Sequence, residues 1–186
     1  MENLVEIVNN ALIFLGERPI QSLEQPTQPA VLAAALWPGC RDEVLRAHPW
    51  NFAIKRAVLA PLAEAPAFGY GQQFALPADW LRTLDTDIRN KDYKMEGRRI
   101  LCNATSLQLR YVARIDEVRD WDALAASAAA RCLASKLAYP LTKSASLQDA
   151  QWQLYVQVLG QARSVDAQED PADEFEESSL LSVRRG

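Results

Sequence analysis

The stretch His48-Pro49-Trp50-Asn51-Phe52-Ala53, continued by Lys55-Arg56-Ala57, marks a change of regime in this chain. It follows the amphipathic run Arg41-Asp42-Glu43-Val44-Leu45-Arg46. The ring of a proline pushes the preceding residue out of the right-handed helical region, so a helix is predicted to stop at His48-Pro49. Beyond it, Trp50 and Phe52 are predicted to share one side of an extended segment, because side chains alternate along a strand. His48, Pro49, Trp50 and Phe52 therefore read as a structural anchor where a helix hands over to a sheet. His48 is the single histidine. Any His–Cys or His–Ser catalytic pair would have to use it. A place at the end of a helix, near the negative end of the dipole, explains it without chemistry.

Upstream, residues 2–15 read as a helix, with Leu4, Ile7, Ala11, Leu12 and Leu15 at helical spacing and Gly16 at the position after the C-cap. Residues 30–47 read as a second helix. Val31, Ala34, Ala35, Pro38, Asp42 and Leu45 mark one side, Leu32, Leu36 and Val44 thicken it, and a bend is expected at Pro38-Gly39. Downstream, alternation and turn chemistry replace the helical period over about 51–113. Phe52 through Leu59 reads as a strand. Gln73-Phe74-Ala75-Leu76 reads as a short one ending at Pro77. Tyr93-Lys94-Met95 and Arg99-Ile100-Leu101-Cys102 flank Glu96-Gly97 as a hairpin, and Leu107, Leu109, Tyr111 and Ala113 alternate as a further strand. A helix is predicted over 117–139, N-capped by Asp120 or Asp122 and closed by Pro140, with a stripe of small residues that permits close helix approach. The last helix is predicted over 144–167, lined by Leu147, Trp152, Tyr155, Val156, Leu159 and Ala162.

The expected fold is mainly α with a small antiparallel β part. A helix bundle with a β-meander or hairpin spans 1–167, and an extended, acidic, flexible C-terminal tail spans 168–186. Length and composition agree with one domain of a water-soluble protein: 186 residues, 49% hydrophobic and 24% charged. No apolar run approaches the roughly 18 residues that a membrane span needs. The start Met1-Glu2-Asn3 has no basic region of the kind a signal peptide carries. Cys40, Cys102 and Cys132 are odd in number and widely spaced, which suits reduced core thiols better than disulfides or a zinc site.

The net charge of −4 is unevenly placed. Asp166, Glu169, Asp170, Asp173, Glu174, Glu176 and Glu177 crowd the C-terminal end, opposed there only by Arg184 and Arg185. The remainder is close to neutral, which argues against strong nonspecific nucleic-acid binding. The middle is locally basic. Arg89, Lys91, Lys94, Arg98 and Arg99 are candidates for lining a channel or a subunit interface. Asp79, Asp85, Asp87 and Glu96 are the acids from which a glycosidase-like carboxylate pair could be drawn, although none has a distinctive sequence context. No glycine-rich phosphate loop is present. No catalytic, cofactor-binding or metal-binding residue is assigned, and no cofactor is expected. In the tail, Leu180, Leu181, Val183, Arg184 and Arg185 follow an acidic spacer, the order suited to a tethered peptide that docks on a partner.

Several motifs, in order, carry a family resemblance. They are Ala11-Leu12 through Leu15-Gly16, then Pro19-Ile20-Gln21-Ser22-Leu23, then Arg41-Asp42-Glu43-Val44-Leu45-Arg46 leading to His48-Pro49-Trp50-Asn51-Phe52-Ala53. Leu76-Pro77-Ala78-Asp79, Tyr93 with Glu96-Gly97-Arg98, Arg110-Tyr111-Val112-Ala113-Arg114, and Lys136-Leu137-Ala138 with Pro140-Leu141-Thr142 complete the series. Over roughly residues 3–167 the chain resembles the tail tubular protein A family, the head-to-tail adaptors of T7-like short-tailed phages. The resemblance implies a structural virion protein and not an enzyme. Its expected form is a ring, dodecameric in that family, that joins the portal protein to the tail nozzle protein and lets double-stranded DNA pass without sequence recognition. Tail fibres or spikes attach at that level, and the C-terminal extension, here Leu180 to Arg185, docks along the portal. Its place is the head–tail junction of the virion, and the host cytoplasm during assembly, with no membrane anchor. The alternative expectation is a tail-associated peptidoglycan hydrolase using a carboxylate pair.

Overall fold

The computed structural model describes residues 3–169. These form four α-helices, α1 (Leu4–Ile13), α2 (Gln28–Ala47), α3 (Ala123–Thr142) and α4 (Ala145–Glu169). Between α2 and α3 lie six strands, β1 (Ile54–Leu59), β2 (Gln72–Ala75), β3 (Trp80–Thr86), β4 (Lys94–Glu96), β5 (Arg99–Cys102) and β6 (Leu107–Ala113). The fold is therefore helical with a small antiparallel β part.

Helix α3 is the axis of the helical body, with α1, α2 and α4 packed around it. Its alanines allow this. Ala125, Ala126, Ala128, Ala129, Ala130, Ala134 and Ala138 are all buried, and short side chains let three neighbours approach one helix closely. Asp122 is the N-cap, its carboxylate accepting from the Leu124 and Ala125 amides at 2.9 and 3.1 Å. Helix α1 starts with a capping box, Asn3 accepting from the Glu6 amide and Glu6 accepting from the Asn3 amide. It ends in a Schellman pattern. Glu17 N–H donates to the Leu12 carbonyl and Gly16 N–H to the Ile13 carbonyl, both at 3.0 Å, with Gly16 at φ +76°.

Several expectations are corrected. Pro38, where a bend was expected, stands inside helix α2 and does not end it. Proline removes the bond to the carbonyl four residues back, that of Ala34, and Ala34, Pro38 and Gly39 all lie on the solvent side, where water satisfies the freed group. The buried side of α2 is Ala30, Ala33, Trp37, Cys40, Val44 and Leu45; of the expected stripe Val44 and Leu45 are on it, whereas Val31 is 57% exposed and Ala34, Ala35 and Pro38 face solvent. The segment 117–139 is a short 3-10 turn at Val118–Asp120 followed by α3, which carries on through Pro140 to Thr142. Pro140 falls in the last turn, where only one helical bond is lost. Helix α4 reaches Glu169, so Gln168 and Glu169 are helical and not tail. Its buried side mixes Gln151 and Asp166 with Tyr155 and Ala162, which no apolar periodicity reveals, while Trp152 and Val156 lie toward solvent. Residues 51–53 form a 3-10 turn, and β1 starts only at Ile54.

The β part is two three-stranded sheets in place of one meander, ordered β1-β6-β3 and β2-β5-β4. The β4–β5 hairpin is as expected, its two-residue turn Gly97-Arg98 taking φ +51° and +61°, the type I′ geometry that matches strand twist. Strand β3 had no period-two signature, and two register shifts along its pairing with β6 account for that. Phe74, Ile100, Cys102, Leu107, Leu109, Tyr111 and Ala113 form a small core between the sheets, separate from the core of the helical body. Val112 and Leu81, on the other face of the first sheet, belong to the helical core and so fasten the sheet to the helices.

Candidate functional site

The corner at His48–Ala53 does more than stop a helix. His48 takes an extended conformation (φ −147°, ψ 152°), as a residue before proline must, and is the C-cap of α2. The following 3-10 turn buries Trp50 completely, and its indole N–H donates back to the Val44 carbonyl at 2.8 Å. Trp50 stacks on Phe52, and Phe52 on Trp121, at centroid separations of 5.9 and 5.7 Å. The two rings thus share a side through the turn, where extended alternation had been expected to place them. The same corner holds the end of α4. The Asp166 carboxylate, 5% exposed, meets His48 Nε2 at 3.0 Å and accepts from the Asn51 amide at 3.1 Å. Asn51 Nδ2 donates to the Asp166 carbonyl at 3.0 Å. Burial pushes the His48 ring below the ordinary histidine value; Asp166 acts in the opposite sense, while Arg163 and Arg82 act with burial.

A second network joins the helical body to the β part, and it gathers motifs that lie far apart in sequence. Asp42 of α2 receives Arg114, just past β6, in a two-pronged pair, Nε to Oδ1 at 3.0 Å and Nη2 to Oδ2 at 2.8 Å. Burial pushes the Asp42 carboxyl up, but the hydrogen bonds from Arg114 and Arg41 outweigh it and leave it below the usual carboxylate range. Arg41 also reaches Asp116, and Arg46 donates to the Leu81 carbonyl of β3. Asp79 holds Lys55 at 2.7 Å and the Tyr111 hydroxyl at 3.0 Å, while its carbonyl accepts from the Arg114 amide. Burial and the Asp79 contact push the Tyr111 hydroxyl up to about 12. Arg98 donates to the Pro77 carbonyl at 2.8 Å and lies over the Trp80 ring.

These contacts locate the candidate residues. Of the basic set, Arg98 is taken up at Pro77 and Arg99 donates to Gln73 Oε1 at 2.9 Å, whereas Arg89, Lys91 and Lys94 are exposed with no ion pair among the described residues. The five are not one patch of free charge. Of the acids, Asp79 is committed to Lys55 and Tyr111. Asp87 accepts from the Gln108 amide at 3.0 Å and Asp85 from the Thr86 amide at 2.8 Å, and Glu96 is exposed on β4. Asp85 and Asp87 border an open groove of about 530 Å³ on the outer face of the first sheet, with Arg56, Val58, Gln108 and Arg110. In this groove Arg56 and Arg110 stand opposite each other across β1 and β6. The three cysteines are buried free thiols. Cys40 and Cys132 touch between α2 and α3, and that contact with burial pushes the Cys132 thiol up, which leaves it unreactive. Among the described residues no three His, Cys, Asp or Glu come together as metal ligands, and no helix is long and apolar enough to cross a membrane.

Sequence reasoning named His48, Trp50, Asp79 and Arg98 but missed their partners. Asp166, Lys55 and Asn51 carried no signal, since a lone acid late in a helix or a lysine early in a strand is indistinguishable from surface charge until the chain is folded. The proposed docking residues Leu180, Leu181, Val183, Arg184 and Arg185 lie outside the described residues. A comparison with protein-family models finds no match, and a comparison with curated proteins finds none either.

Proposed function

We propose that this chain is the subunit of a head-to-tail adaptor ring of a short-tailed phage, standing between the portal and the tail nozzle. The observation that carries the reading is the convergence of the resemblance motifs. Asp42, Pro77-Ala78-Asp79, Arg98, Tyr111 and Arg114 come from separate motifs, yet they meet in one network that fixes the β part on the helical body. Residues of the resemblance motifs thus serve as the framework of this fold, which is the role that structural motifs of an adaptor subunit need.

The surface supports the same reading. Helix α4 buries one stripe against α3 but keeps apolar side chains on both borders of it. Trp152 and Val156 lie on one border, Leu154 and Val165 on the other. A head-to-tail ring needs two different patches on each subunit, one for each neighbour. In this reading α4 contributes to both. The exposed Arg89, Lys91 and Lys94 are the charges available to face passing DNA, a backbone contact without base recognition. The C-terminal segment docks on the portal once the subunit arrives.

Light scattering of the purified chain, alone and mixed with its portal ring, tests the proposal. The expected result is a small species alone and a stoichiometric complex with the portal. No association would overturn it. Lysis of purified cell walls, lost in Asp85→Asn, would favour the hydrolase in its place.

A further inference from the structure

The two edges of the first sheet are treated differently. Strand β3, at one edge, is broken by two register shifts, and Arg46 donates to its Leu81 carbonyl. Both are common ways of blunting an edge. Strand β1, at the other edge, pairs with β6 in unbroken register over all six residues and contains neither proline nor glycine. Among the described residues nothing bonds to its outer backbone groups. An intact, uncovered edge of this kind is a template for one more strand.

We propose that the outer edge of β1 is the docking site of the chain's own C-terminal segment, residues 170–186, before any partner takes that segment away. Position is the first argument. Asp166 is held by the Asn51 amide and by His48, so α4 delivers the chain beside residue 51, three residues ahead of β1. Reach is the second. The segment beyond Glu169 spans up to about 55 Å when extended, whereas a six-residue strand needs about 20 Å. Charge is the third. Arg56 faces Arg110 across the ladder, and like charges directly opposite are unfavourable. Asp85 is in register with Arg110 on its far side, which leaves Arg56 as the uncompensated cation nearest the edge. Val58, two residues on and on the same face, is 74% exposed. The segment presents Asp170, Asp173, Glu174, Glu176 and Glu177 around Phe175, and Leu180, Leu181 and Val183 afterwards. Leaving α4 beside the start of β1, it runs parallel to the strand, and the two-residue spacing of Asp173 and Phe175 matches that of Arg56 and Val58 on one face. The docked segment covers the exposed edge and keeps its own leucines out of solvent.

Amide hydrogen exchange over residues 54–59, without portal present, tests this. The full chain is compared with a chain ending at Glu169 and with full-length Arg56→Glu, an exposed substitution that leaves the fold intact. The expected result is exchange in β1 faster by about tenfold or more in both variants, with α3 unchanged. A synthetic 170–186 peptide added to the shortened chain restores protection. The same β1 exchange in all three proteins overturns the proposal. So does protection that vanishes on dilution, because the segment would then come from a neighbouring copy. Neither result bears on portal binding, so this latch and the adaptor reading fail separately.

Discussion

The helical body and the β part are built on opposite principles. The body has a continuous core in which one alanine-rich helix touches three others, and its buried polar side chains, Asp166, Gln151 and Ser135, each have hydrogen-bond partners. The β part splits its strands into two small sheets over a core of few residues, and it leaves the β1 edge and the groove beside it open. The network around Asp42, Asp79 and Arg114, together with Val112, Leu81, Leu84 and Ile115, joins the two. The difference teaches that the body is the rigid frame and the β part the adaptable face it presents.

The strongest way to break that contrast is Trp50→Ala. Truncating a fully buried tryptophan costs about 3–5 kcal/mol, and here it also strips the Val44 carbonyl of its partner. Chemical denaturation should show the whole molecule destabilised, because the corner belongs to the body. Phe74→Ala removes a comparable side chain from the β core. Its effect is expected to be local, with faster amide exchange in β2, β4 and β5 and unchanged protection in α3. Equal loosening of α3 would erase the distinction between the regions.

Asp166→Ala is expected to cost about 1–3 kcal/mol, since the Asn51 amide and His48 are left without their shared acceptor. The same corner sets a pH dependence. The folded pKa of His48 is lowered, so its contribution is complete above the ordinary histidine value of about 6.5 and is lost as pH falls through the folded value. Denaturation midpoints should therefore drop as pH falls from about 6.5 to the lowered folded value, and His48→Gln should flatten the drop. Asp42→Asn comes next, at about 1 kcal/mol, because its pair with Arg114 is partly exposed. Its signature is faster exchange in β6 and β3 with little change in α3. Arg56→Glu should shift stability by no more than about 0.5 kcal/mol.

Much of this frame was legible in the sequence, for particular physical reasons. Pro49 announced the end of α2 because its ring acts on the residue before it, whatever the surroundings. Asp122 and Gly16 announced helix ends through local hydrogen bonding. Pro140 misled, because the cost of a proline depends on how many helical bonds remain beyond it. Strand β3 was hidden, because bulges scramble the alternation that a sequence reading relies on, and the division of the strands into two sheets was hidden because alternation does not say which strand pairs with which. The clasp on Asp166 was hidden for another reason. It joins residues more than a hundred positions apart, and neither end has a local pattern.

Electron cryomicroscopy of the portal mixed with this chain tests the central claim most directly. The account predicts a closed ring of copies against the portal, with each body contacting its neighbours through the two borders of α4 and the β part turned away from the bundle core. A portal that stays bare, or copies attached without contacting one another, would contradict it.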